Sequence, residues 1–188
     1  MKRIILGSNS PRRRELLAGL DIEFTVDTGN SFEESAEPGT EPALIPLHMS
    51  QGKSHGFHRP LEEDEVLITS DTVVITGGKV LGKPHSPEEA AAMLRSLSGR
   101  THEVVTAVTI RDAVTEYSFS DVTEVVFEPL SDEEIAYYID RYKPFDKAGA
   151  YGIQEWIGYI GISSIRGSFY TVMGFPVHRV WKELKRFL

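Results

Sequence analysis

Short apolar runs alternating with amphipathic stretches lay out the plan of this chain. Ile4–Leu6, three apolar residues in succession, predicts a buried strand. Gly7 and the hydroxyl residues after it make a turn. Ser10 is a good helix N-cap, and Pro11 suits the first helical position, where a missing N–H costs nothing. Leu16, Leu17 and Leu20 give the helix over Pro11–Ala18 its apolar face. Phe24–Val26 predicts a short strand, and 30–42 a loop in which Glu33, Glu34, Glu37 and Glu41 fall among Ser, Gly and Pro. Ala43–Ser54 predicts a helix weakened by Pro46 and Gly52. Glu65–Ser70 reads as a buried strand with Asp71 at or near its carboxyl end. Val73–Ile75 continues that strand or pairs after a bend, and Thr76-Gly77-Gly78-Lys79 is a hairpin-type turn.

The second half repeats the alternation. Ser86-Pro87-Glu88-Glu89 and Ser131-Asp132-Glu133-Glu134 have capping-box spacing and open helices to about Arg95 and Arg141. Between them lie two β-rich segments, His102–Arg111 and Glu116–Glu128, the second with both faces partly covered. Tyr151–Ser164, rich in glycine and aromatics, predicts a loop beside a site. Val177, Val180, Trp181, Leu184 and Leu188 recur at helical spacing. The class is α/β. At 188 residues without a Pro/Gly/Ser linker, the chain makes one domain or two small lobes sharing a core.

Charge narrows the partners. The net charge of -8 argues against broad binding to nucleic acid or anionic lipid, which needs a basic surface. Local basic clusters in an acidic protein point instead to a small anionic ligand. With no cysteine, disulfides, thiolate nucleophiles and thiolate metal sites are excluded. The apolar run after Met1-Lys2-Arg3 is shorter than a signal peptide needs, and no transmembrane run follows, so a cytoplasmic protein is expected.

Several clusters carry candidate chemistry. Arg12, Arg13 and Arg14 stand in the first turn of a helix whose dipole favours acids there, an arrangement most easily tolerated if an anion sits among them. The bland alternative is a solvated basic turn offset by Glu15. Asp71, between Ser70 and Thr72, can hold Mg²⁺, act as a general base, or simply cap a strand-end turn. Gly82-Lys83-Pro84 offers close backbone approach and a point charge for phosphate, or is a surface turn. Glu33 and Glu34, with Lys53, can complete a carboxylate shell beside Asp71 or remain solvated. In Pro144–Gln154, small residues let the chain pass close to a ligand, and Asp146, Lys147 and Gln154 are polar handles. His48, His55 and His58 lack a convincing acid partner, and His85, His102 and His178 sit at element edges, so all six read as exposed.

Taken in order and spacing, Ser8–Leu17, Ser70–Val74, Leu81–Pro84, Leu97–His102, Lys147–Gln154 and Gly167–Pro176 resemble the Maf-like nucleotide pyrophosphatases over essentially the whole chain. The resemblance implies a mixed twisted sheet with flanking helices, in two lobes around a cleft, like the inosine-triphosphate pyrophosphatases. It implies hydrolysis of a nucleoside triphosphate to the monophosphate and pyrophosphate with Mg²⁺ or Mn²⁺. Carried onto matching positions, Ser8, Arg13, Lys53 and Lys83 contact phosphate, Glu34 (a better match than Glu33) binds metal or water, and Asp71 binds metal and accepts the proton of the attacking water. Arg12, Thr72 and Gln154 resemble the branch that prefers dTTP and UTP; the 7-methyl-GTP branch tends to carry an aromatic, a Gln and a Glu there. Around Lys53, Met49–Gly56 departs from the family's Ala-rich stretch. The resemblance leaves a homodimer open, and it leaves a second role: a non-enzymatic nucleotide-binding regulator of cell division.

Overall fold

The structure is a computed structural model and describes residues 2–188. Its strands are β1 (Arg3–Leu6), β2 (Phe24–Val26), β3 (Glu65–Thr76), β4 (Lys79–Leu81), β5 (Thr101–Arg111), β6 (Glu116–Phe127) and β7 (Ile162–Arg166). The helices are α1 (Pro11–Ala18), α2 (Ile45–His55), α3 (Pro87–Leu97), α4 (Asp132–Tyr142), α5 (Trp156–Gly161), α6 (Phe169–Met173) and α7 (Val177–Leu184), with 3₁₀ turns at Pro42–Leu44 and Ala148–Ala150. The strands form one mixed sheet in the order β2-β1-β3-β5-β6-β7, with β4 on β3. β1 is parallel to β2 and β3, whereas β3–β4 and β6–β7 are antiparallel. This is the α/β class that the alternating pattern predicts. Among the described residues no helix is long and apolar enough to cross a membrane.

The chain divides into two compact units. One holds the chain up to Asp71, Thr106–Asp121 and Gly174–Leu188; the other holds Thr72–Val105 and Val122–Met173. In the first, the uninterrupted apolar runs are explained by sheet faces that are both covered. Ile4 and Leu6 of β1 join Leu17, Val66, Ile68 and Phe175 in one buried cluster, while Ile5 and Leu67 point the other way, to Phe57 and Leu61. In the second unit, Leu94 and Leu97 of α3 and Ile135 and Tyr138 of α4 are buried, and the two helices pack on each other.

Four expectations are corrected. β3 does not end near Asp71. Its parallel pairing with β1 stops at Ile68, but the strand runs on to pair antiparallel with β4 from Val74 to Thr76, so Asp71 lies inside it. Pro46 does not weaken α2; it stands in the first turn, where it starts the helix. Only Ser131 forms a reciprocal capping box with Glu134. At Ser86 the hydroxyl accepts from Glu89 N–H, but the Glu89 carboxylate accepts from His85 N–H, one residue early. Tyr151–Ser164 is not a loop throughout, since it contains α5 and the start of β7. In β6 both faces are partly covered, as expected: Thr123, Val125 and Phe127 are buried on one, and on the other Glu124 and Val126 are half-buried while Val122 is exposed.

Candidate active site

The first unit gathers a compact charged cluster at the start of α1. Ser10 caps the helix, its hydroxyl accepting from Arg13 N–H at 3.4 Å. Ser8, buried in the turn after β1, accepts from Ser10 N–H at 3.2 Å and from Arg13 Nη1 at 3.3 Å. Arg13 also donates to Ser70 O and, through Nε, to Gly174 O, each at 2.9 Å. One guanidinium therefore ties the β1–α1 turn, β3 and the segment before α7 together, using the fork geometry that a lysine lacks. Desolvation pushes the Arg13 pKa down; the Asp71 charge opposes this, Arg12 adds to it and Glu34 opposes it. Thus the unfavourable first-turn charge is met in part by protein carbonyls and carboxylates, not by an external anion alone. Arg12 is half-buried beside it.

Lys53, in the last turn of α2, completes the cluster. Its Nζ donates to Asp71 Oδ1 at 2.8 Å and lies 3.2 Å from Glu34 Oε2. Lys53 and Asp71 side chains are mostly buried, while Glu34 is exposed. Of the two neighbouring acids it is Glu34 that reaches Lys53. The helix beneath is fixed by a buried hydroxyl chain: Thr69 donates to Ser50 O at 2.7 Å, Ser50 bonds Thr109 at 2.9 Å, and Thr109 bonds Ser118 at 2.9 Å. Arg111 donates to Ser54 O at 2.8 Å and so caps the helix end.

Two carboxylates thus converge on one cation. Among the described residues no group of three or more His, Cys, Asp or Glu is placed to hold a metal. That donor set suits a hard cation such as Mg²⁺, which takes one or two carboxylates, waters and substrate phosphates. It does not suit an ion that needs a full protein cage.

The second unit carries Thr72, Lys83 and Gln154. Thr72 is half-buried on β3, and Lys83 is exposed just beyond β4. Gly82 O accepts from Gly149 N–H at 3.0 Å, which joins the Gly82-Lys83-Pro84 turn to the Pro144–Gln154 segment. That segment needs its small residues: Gly149 has φ 68°, and a Cβ there would meet Val74 at 2.8 Å. Gln154 Oε1 is buried without a hydrogen-bond partner.

Sequence reasoning named Asp146 and Lys147 as polar handles but missed Tyr138 and Glu155, which complete the frame. Buried Lys147 lies 2.9 Å from Asp146 and 3.1 Å from Glu155. The Tyr138 hydroxyl donates to Glu155 Oε2 and accepts from Gly152 N–H at 3.0 Å. Burial and the Glu155 carboxylate push the Tyr138 pKa up. A tyrosine on the apolar stripe of α4, with a hydroxyl that must find a partner, was the available signal.

Three histidines depart from expectation. His102 is not exposed: it is buried against Phe127 and Tyr151, and burial lowers its pKa to about 4. His55 and His58 are exposed but have acid partners, Glu116 at 2.7 Å and Asp27 at 2.9 Å. The His58 bond holds the Asp27 carboxyl below its ordinary range.

Comparison with known proteins adds the following. The family described as "Maf-like protein" matches residues 3–187. A "dTTP/UTP pyrophosphatase" of Porphyromonas gingivalis is 52% identical over 187 residues, covering 98% of this chain and 94% of that protein. Proteins of the same description from Parabacteroides distasonis and Cytophaga hutchinsonii are 50% and 49% identical, over 98% and 97% of this chain and 96% and 83% of theirs. A solved structure titled "Structure of a HAM1 protein from Coxiella burnetii" aligns with TM-score 0.48 at 15% identity, over 99% of this chain and 100% of that one.

Proposed function

The chain belongs to the Maf-like protein family, and on that premise we propose that it is a hydrolase that cleaves nucleoside triphosphates, dTTP and UTP by preference, to the monophosphate and pyrophosphate. The observation that carries the reading is Lys53 held by Asp71 and Glu34 next to the Arg13–Ser8 pair. Cleaving a phosphoanhydride asks for charge neutralisation and positioning more than for covalent chemistry, and this cluster offers both.

In this reading Ser8, Arg13, Lys53 and Lys83 bind the phosphates. Asp71 accepts a proton from water as its oxygen bonds to the α-phosphorus and pyrophosphate leaves with the electron pair of the broken P–O bond. A divalent cation goes with the family; Mg²⁺ or Mn²⁺, held by Asp71 and Glu34, supplies further neutralisation of phosphate charge when bound. Thr72, Arg12 and Gln154 select the base. The unpaired Gln154 Oε1 supports this role, because a buried acceptor without a partner favours a ligand that brings a donor, such as the imide N–H of thymine or uracil.

The test is pyrophosphate release from a panel of dTTP, UTP, dCTP, GTP and 7-methyl-GTP with Mg²⁺ or Mn²⁺. The expected result is turnover led by dTTP and UTP. Tight nucleotide binding without pyrophosphate release from any of them would replace the enzyme with a nucleotide-binding regulator.

A further inference from the structure

The acidic loop that carries Glu34 is seated on α2 in a way that nothing in the proposed chemistry requires. Phe32, half-buried, lies on the backbone of α2 at two glycines one turn apart, Gly52 and Gly56. A Cβ at Gly52 would come to 2.7 Å from Phe32 Cδ2 and closer still to Cε2 and Cζ. A Cβ at Gly56 would meet Asn30 Oδ1 at 2.6 Å, Phe32 Cβ at 2.7 Å and Phe32 N at 2.9 Å. With the ring where it stands, neither place takes a Cβ unless the loop or the ring shifts.

Polar bonds fix the same segment. Asn30 Nδ2 donates to Lys53 O, and Asn30 Oδ1 accepts from Phe32 N–H at 2.8 Å. Ser31 N–H donates to Gly56 O at 2.9 Å, and Asn30 bridges to Phe57. Two residues beyond Phe32, Glu34 Oε2 stands 3.2 Å from the Nζ of Lys53, the neighbour of Gly52 in sequence. The Glu34 side chain is more than half exposed, so its approach to Lys53 depends on where the loop backbone is set.

We infer that Phe32, seated on the Gly52–Gly56 floor of α2, is a positioning residue that holds Glu34 at the Lys53–Asp71 pair. The inference rests on the role proposed for Glu34. It also explains why a helix tolerates Gly52 in its interior, where glycine is a poorer helix former than alanine.

Gly52→Ala makes the decisive test, because its two effects have opposite signs. Alanine strengthens the helix, so a purely structural role for Gly52 predicts an equal or higher Tm and parent-like kinetics. Under the proposal the Tm holds while the loop is displaced. Hydrogen exchange at the Ser31 and Phe32 amides then accelerates, and kcat/KM for dTTP falls roughly 10- to 100-fold, the scale of an ångström-size misplacement. Phe32→Ala gives the same loss, and the Phe32→Ala/Gly52→Ala double variant is no worse than Phe32→Ala alone, since the collision has gone. Glu34→Gln separates the two layers. If Glu34→Gln lowers turnover but Gly52→Ala leaves both kinetics and amide exchange at the parent's values, the positioning role is overturned and the proposed function stands. If Glu34→Gln leaves turnover unchanged, the role of Glu34 falls, and the positioning inference with it.

Discussion

His102 Nε2 lies 2.6 Å from the Tyr151 hydroxyl, inside the second unit and with His102 only 2% exposed. Burial holds the imidazole neutral to a pKa of about 4, against an ordinary 6.5. The unfolded chain therefore binds a proton that the folded one refuses between those values. Stability from this group is complete above pH 6.5 and declines as pH falls toward 4, by on the order of 3 kcal/mol. Urea midpoints measured across this window for the parent and for His102→Gln should show a steeper acid decline in the parent. Parallel curves would remove His102 as the cause.

Asp71→Asn should abolish turnover while nucleotide binding survives. The amide keeps the shape within β3 and can still meet Lys53, but it accepts no proton. Single-turnover assays and equilibrium binding to dTTP check both halves, and near-parent turnover in a folded Asp71→Asn protein takes Asp71 out of the chemistry.

Arg13 and Lys83 should part company. Arg13→Lys keeps a charge but loses the fork that reaches Ser8, Ser70 and Gly174. Losing charge-assisted bonds worth about 1.5–3 kcal/mol each should lower the Tm by several degrees and raise KM. Lys83 is exposed, and Lys83→Ala should raise KM with the Tm almost unchanged. Thermal melts beside triphosphate KM values decide; a Lys83→Ala variant that loses stability but not affinity would make that turn structural.

Gln154→Glu should depress dTTP and UTP turnover more than it affects any purine triphosphate. The side chain neighbours Glu155, already bound to Lys147 and Tyr138, and a second carboxylate meets both repulsion and the carbonyl oxygens of the base. Ratios of kcat/KM across the nucleotide panel measure it, and ratios equal to the parent's would take Gln154 out of base selection.

Local rules made much of this legible. The run Ile4–Leu6, the Ser10 cap and the proline after it specify strand, turn and helix within fifteen residues, and the structure follows them. Ser131 and Glu134 did the same for α4. What the residues withheld was decided by distant partners. β3 runs past Asp71, one of the two readings open for Val73–Ile75, and the hairpin turn that brings β4 against it was legible; that its pairing with β1 stops at Ile68 was not. His102 is buried because Phe127 and Tyr151 close on it, the latter 49 residues away. α5 spans six residues with glycines at Gly158 and Gly161, too short for a helical period to declare itself. In the site, motifs identified Asp71, Lys53 and Glu34 as candidates. Only coordinates could reveal the ring beneath the loop that carries Glu34.

The division of the chain has a consequence for inheritance. The backbone passes from one unit to the other at Asp71/Thr72, Val105/Thr106, Asp121/Val122 and Met173/Gly174, and the first three passages fall inside β3, β5 and β6. No single cut in the gene therefore encodes either unit. Neither unit can be exchanged as one contiguous segment, as modules strung on linkers can. Changes confined to one unit therefore come as substitutions in place, within strands whose residues both units share.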